Sequence, residues 1–256
     1  YDFLESGYVV LCAGSEMETD ECRTTYELKS KYRLMSCSYG VYDDDVVVDY
    51  EEVVRSSRDF SEDEMLFVRS INFFIVAFWN LGMAKPLLKW LHQEEGINPL
   101  DAILTFAKGG VNQVLDDFLK EFRSEALNEW FDTEEELVEY YTKNFKSLSE
   151  NGFLKMDLKY TAKLLLNRRL TKSMLDAMAS QCKSDLTKQL TQFCMDSIYF
   201  MDFREKFKEC TYSDNLVEGL KKIYPLSPID GNKCQFKLED GSEEAIDFEF
   251  KKYRFD

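Results

Sequence analysis

A chain of 256 residues and 30.1 kDa is long enough for one large domain or two small ones. Its 48 acidic against 32 basic residues give a formal charge of −16 and a pI near 4.6, which repels phosphate backbones and argues against nucleic acid as a partner. Hydrophobic residues at 45% and aromatic residues at 14% exclude global disorder, and no run approaches the roughly 18 apolar residues of a membrane span.

In chain order, Tyr8 to Cys12 is a short apolar run closed by Ala13-Gly14, the pattern of a buried strand. Residues 16–30 are polar and predict a loop or a short helix. Residues 32–42 and 46–54 are rich in aromatic and β-branched side chains around Asp43-Asp44-Asp45, which predicts a β-hairpin. The period changes at Ser61. Ser61-Glu62-Asp63-Glu64 is a capping box that opens a helix. Ile71 to Leu81 is apolar nearly all round, as a buried core helix would be, with Gly82 as its stop.

A second helix is expected from about Ala84 to Glu95, with Leu87, Leu88 and Leu91 inward and Gly96 as terminator. Asn98-Pro99 supplies the N-cap and first-turn proline of a third, carrying Leu100, Ile103, Leu104 and Phe106 inward. Val111, Leu115, Phe118, Leu119, Phe122, Ala126 and Leu127 recur at helical spacing. Thr133 with Glu136 forms a second capping box. From Phe153 to about Phe200 the pattern is helical almost without a break, with Thr171 as the cap that divides it. Leu175, Met178, Cys182, Leu186, Leu190, Phe193 and Cys194 form its apolar stripe. A short helix near Asp214 to Ile223 precedes two prolines. Cys234, Phe236 and Leu238 then alternate with polar residues, as do Ile246, Phe248 and Phe250 beyond Asp240-Gly241, the signature of a hairpin.

The expected architecture is α+β and mostly α-helical. A central helical bundle at about 61–223 is flanked by short β elements at both ends. The expected domains are 1–60, 61–223 and a C-terminal β-hairpin at 224–256.

Chemistry is sparse. His92 is the one histidine, so neither a Ser-His-Asp triad nor a His-Glu-x-x-His zinc site has support. The seven cysteines, at 12, 22, 37, 182, 194, 210 and 234, are odd in number and widely spaced, which reads as reduced thiols in the cytoplasm. Asp43-Asp44-Asp45 lacks the ligand spacing of a calcium loop, and Lys108-Gly109-Gly110 is not a phosphate loop. Phe73, Phe74, Phe78 and Trp79 read as core, with a ligand-lining face as the other option. No catalytic residue and no metal ligand is identified. The chain opens Tyr1-Asp2-Phe3-Leu4-Glu5, without the basic and apolar regions of a signal peptide. With no initiating Met, it is expected to be processed or a piece of something longer.

Several strings resemble one family in the order that family shows. Val9-Val10-Leu11-Cys12-Ala13-Gly14-Ser15-Glu16 resembles the last barrel strand and following loop of the cobalamin-binding radical SAM proteins. Thr19-Asp20-Glu21-Cys22-Arg23 and Tyr26-Glu27-Leu28-Lys29-Ser30-Lys31-Tyr32-Arg33 resemble their post-barrel segment. Val46 to Val54 is similar to their following strand, and Phe60-Ser61-Glu62-Asp63-Glu64-Met65 with Arg69 to the start of their C-terminal helical region. The resemblance covers roughly residues 8–105.

It implies that this chain is the C-terminal portion of a cobalamin-dependent radical SAM enzyme. Such a segment would cap the barrel, exclude water and help shape the substrate pocket. Its partner would be the remainder of the parent polypeptide, and the substrate is not specified. The parent would carry a [4Fe-4S] cluster, S-adenosylmethionine and cobalamin. The family's Cys-x-x-x-Cys-x-x-Cys motif is absent here, so this segment would hold no cofactor and would not be catalytic alone. Glu16 and Arg33 are the pocket candidates, carried over from their place near the barrel mouth. The alternatives are a stand-alone acidic protein-interaction domain, or a small-molecule-binding helical domain built on the aromatic face near Trp79.

Overall fold

A computed structural model describes residues 3–4, 7–43, 45–151, 156–182, 184–199, 207–224 and 233–237. The protein is mostly helical α+β. Its elements are α1 (Asp20–Tyr26), β1 (Lys29–Tyr42), β2 (Asp45–Ser56), α2 (Glu62–Phe74), α3 (Lys85–Glu95), α4 (Pro99–Lys108), α5 (Gln113–Leu127), α6 (Glu134–Asn151), α7 (Met156–Leu166), α8 (Arg168–Ala179), α9 (Leu186–Tyr199), β3 (Phe207–Thr211), α10 (Asp214–Ile223) and β4 (Lys233–Lys237). The strands form two antiparallel pairs, β1–β2 and β3–β4. The chain divides into two compact units, each built from separate stretches of sequence. One comprises residues 5–72 and 120–159, the other 1–4, 73–119 and 160–256.

The first unit is organised by the long β1–β2 hairpin, with Tyr32 opposite Glu52 and Arg33 opposite Glu51. Asp43 makes the turn at φ 50°, a conformation Asp tolerates better than most residues. The expected first strand is reduced to a single bridge. Val10 pairs with Val53, Leu11 N–H donates to the Glu52 carbonyl (2.9 Å), and the Val9 carbonyl accepts from Val54 (2.9 Å). On the other edge Tyr32 and Phe131 exchange two 2.9 Å bonds. Leu34, Val48, Leu137 and Tyr141 form one small core on the hairpin; Val53, Met65 and Trp130 form another. The capping box at α2 is present as the sequence predicts. Ser61 N–H donates to the Glu64 carboxylate at 2.7 Å, and Glu64 N–H returns to Ser61 Oγ at 3.3 Å. Such a cap contributes about 1 kcal/mol.

The second unit holds the apolar run that follows α2. Here the helix widens. Ile75–Asn80 is a π-helical turn, with Leu81 N–H donating to the Val76 carbonyl five residues back (2.8 Å). Asn80 uses the change to turn its side chain onto the backbone of Leu4, accepting at 3.0 Å and donating at 2.7 Å. Phe73, Phe74, Phe78 and Trp79 are buried, and the Phe74, Phe78 and Phe106 rings stack within 5.0–6.3 Å of one another. These rings are core.

Gly82 and Gly96 end their helices at positive φ, as the sequence predicts. Asn98 caps α4 by accepting from Leu100 N–H at 2.9 Å. Leu100 and Leu127, expected inward, are exposed, each at an end of its helix.

The span expected as one helical run divided at Thr171 is divided twice, and elsewhere. Asn167 is the cap, accepting from Leu170 N–H at 3.0 Å. Thr171 lies inside α8, buried, and its hydroxyl donates to the Leu164 carbonyl. A second break separates α8 from α9, so the apolar stripe from Leu175 to Cys194 is shared by two packed helices. Helix α10 packs on α3 and α9, and Gly219 permits the approach. A Cβ there would lie 2.5 Å from Leu186 Cδ2 and 3.2 Å from Trp90 Cζ3. The expected strand at Cys234 and Phe236 is β4, and it pairs with β3. The second half of the expected C-terminal hairpin, 238–251, lies outside the described residues.

Candidate functional site

Alternation along a strand sends residues 51, 53 and 55 to one face of the hairpin, and Arg33, opposite Glu51, joins them. That face meets Tyr8, helix α2 and Trp130. The result is a cluster of three buried arginines around one indole. Arg33, Arg55 and Arg69 are 8%, 2% and 1% exposed.

Each arginine has its own carboxylate. Arg33 Nε donates to Glu51 at 2.6 Å. Arg55 reaches Glu62 through Nε (3.2 Å) and Nη2 (2.7 Å). Arg69 Nη2 lies 2.6 Å from Glu129. The guanidinium carbons of Arg33 and Arg55 sit 5.3 and 4.1 Å from the Trp130 ring centroid, and Arg33 also covers Tyr8 at 4.4 Å. Arg69 is 5.9 Å from both rings. Trp130 is held edge-on to Tyr8 (6.2 Å, 83°), and its Nε1–H donates to the Ala126 carbonyl at 2.7 Å. Guanidinium is suited to this setting: it stays charged, stacks flat on rings and is more weakly hydrated than ammonium.

Three arginines against three glutamates leave the cluster near neutral. Arg33 Nη1 and Arg55 Nη1 are buried with no hydrogen-bond partner among the described residues. Those donors suit an anionic oxygen. A guanidinium is not deprotonated at ordinary pH, so the three arginines themselves supply no acid or base.

The opposite face of the hairpin carries a further ion pair. Arg23 grips Glu52 through both terminal nitrogens (2.7 and 2.8 Å), and Ser30 donates to the same carboxylate. The Arg23 hydrogen bond holds the Glu52 carboxyl below its ordinary range, despite the opposing effect of burial. A depressed carboxyl stabilises the fold above its unfolded pKa. That contribution is lost as pH falls through the folded value.

Of the two residues singled out by resemblance, Arg33 lies in the cluster. Glu16 is exposed in a single 3₁₀ turn, Glu16–Glu18, and takes no part in it. Arg55 and Trp130 were not singled out. Arg55 had a weak signal, a charge two residues beyond buried Val53 on the same strand face. Trp130 had none, because it arrives from a distant helix end. His92 is exposed at the end of α3, its Nδ1 3.3 Å from the Ile97 carbonyl.

An open groove of about 710 Å³ lies between β2 and α6, lined by Tyr50, Glu134, Glu135, Val138, Glu139, Thr142 and Lys143. The Tyr50 hydroxyl donates to Glu134, and that bond to an anion pushes the phenol up to about 12. Its contribution to stability is full below the ordinary tyrosine pKa of about 10 and is lost as pH rises through about 12. In Glu134→Gln the Tyr50 midpoint should fall toward 10, measured by NMR titration of the labelled phenol carbon. An unchanged midpoint would show that Glu134 is not its cause.

Burial pushes the Cys194 thiol up to about 12 and raises that of Cys182 as well. Among the described residues no three His, Cys, Asp or Glu side chains are grouped to hold a metal ion, and no single helix is long and apolar enough to cross a membrane. Compared with known proteins, the chain matches no family model and no curated sequence.

Proposed function

We propose that this chain is the C-terminal, mostly helical domain of a cobalamin-dependent radical SAM enzyme of the cytoplasm, covering the open end of the barrel and shaping the substrate pocket. One observation supports the reading. The strings that carry the resemblance follow one another within residues 9–69 and are assembled around one hairpin. Val9 to Leu11 pairs with β2, β1 pairs with β2 in register, Arg23 and Arg33 take up Glu52 and Glu51, and Arg69 reaches the same Trp130.

In this role the chain positions and shields, while the cluster, S-adenosylmethionine and cobalamin belong to the remainder of the polypeptide. Excluding water protects a radical intermediate from quenching. The test is to sequence the gene upstream of the codon for Tyr1. The reading frame should continue through a Cys-x-x-x-Cys-x-x-Cys motif. An in-frame stop with no such motif before it would overturn the proposal. A second reading, an acidic protein-interaction domain, is favoured by the apolar tip of the hairpin, where Val41, Tyr42 and Val47 are exposed.

A further inference from the structure

Cys210 and Cys234 are far apart in sequence, with helix α10 between them, and nothing in their spacing marks them as a pair. The strand register does. In the β3–β4 ribbon the two cysteines are directly opposite one another. Directly opposed residues in an antiparallel pair have Cα atoms about 4.5 or 5.5 Å apart and stand on the same face. Both separations fall within the roughly 4.4–6.8 Å that a disulfide spans. Cys210 is partly exposed, so a small reagent can reach it, whereas Cys182 and Cys194 are buried.

We propose that Cys210 and Cys234 are a redox-modifiable pair, converted by a low-molecular-weight disulfide into a cross-strand bond that locks the β3–β4 ribbon. The Cys210 thiolate attacks one sulfur of the small disulfide. That S–S bond breaks, a small thiolate leaves, and a mixed disulfide remains on Cys210. Cys234, having lost its proton to solvent, then attacks the Cys210 sulfur and expels the second small thiolate. Two protein thiols are oxidised by two electrons, and the small disulfide is reduced to two thiols. The bond acts where the fold has least to spare, because a two-stranded ribbon is marginal on its own. It also closes a loop around α10, whose Leu216, Val217, Leu220 and Ile223 are buried. In a reducing compartment the pair stays open, and an oxidative shift closes it.

The test equilibrates the reduced full chain with oxidised glutathione, quenches in acid, and maps peptides without reduction. The expected product has lost the mass of two hydrogens and links the Cys210 and Cys234 peptides. It should form about tenfold faster or more in the folded chain than in urea, because the register holds the thiols together. Cys234→Ser should stop at one glutathione on Cys210. Stable glutathione adducts on both cysteines without a link, or equal rates folded and unfolded, would overturn the proposal.

Discussion

Replacing Arg69 with alanine is expected to lower the free energy of unfolding by about 3–5 kcal/mol, among the largest effects of any single change in this chain. Arg69 is 1% exposed and lies 2.6 Å from Glu129, whose side chain is 14% exposed. Removing the guanidinium takes its ion pair from a carboxylate shielded from water, and it takes from Tyr8 and Trp130 one of the cations beside them. The cost is that of a buried carboxylate losing its counter-charge more than of a lost ring contact. The pair of changes Arg69→Met with Glu129→Leu should therefore cost less than Arg69→Ala alone, since well-packed apolar residues can replace a buried ion pair at little cost. Urea unfolding followed by tryptophan fluorescence measures both. A double variant less stable than the single one would refute this account of the cluster.

Phe78→Ala should cost a similar amount, about 3–5 kcal/mol, through a different mechanism. Phe78 is fully buried in the π-helical turn, with its ring centroid 5.0 Å from Phe74 and 5.6 Å from Phe106. Truncation removes the transfer energy of the ring and leaves a cavity that the two neighbouring rings are too rigid to fill. Val76, in the same turn, is 36% exposed, so Val76→Ala should cost under about 1 kcal/mol. Equal costs at the two positions, measured by urea unfolding, would mean that the turn does not hold Phe78 against Phe74 and Phe106.

The helix starts and stops are legible in the sequence where the signals are local. Ser61 with Glu64, Asn98 with Pro99, and Gly96 each act within one turn of their own position, so reading a few residues suffices. Thr171 misled for the same reason. It and Asn167 are both residue types that cap helices, and the choice between them depends on which side chain is buried against Leu164, a matter of tertiary packing. The π-helical turn is invisible because its six residues, Ile75 to Asn80, are too few to separate one helical period from another.

Of the arginine cluster, Arg33 is legible by resemblance, and Arg55 in principle from strand alternation. Trp130 is brought to them from more than seventy residues along the chain, a distance no periodic pattern spans. The pairing of β3 with β4 is likewise non-local. Alternation shows that Cys234 to Phe236 is a strand but not which strand it joins.

The interleaving of the two units constrains how the protein can be made. The hairpin and α2 leave the ribosome before residues 73–119, but Trp130 and α6, which complete their unit, are synthesised only after those residues have emerged. Those intervening residues include Phe74, Phe78, Leu87, Leu88 and Leu91, all fully buried in the finished protein. Their own partners in α8, α9 and α10 come later still. A nascent chain that ends near residue 119 therefore displays apolar side chains of α3 whose covering helices α8, α9 and α10 have yet to be made. Neither unit can close as it is translated, and release of the protein in folded form depends on keeping residues 73–119 from sticking to other chains until the last helices arrive.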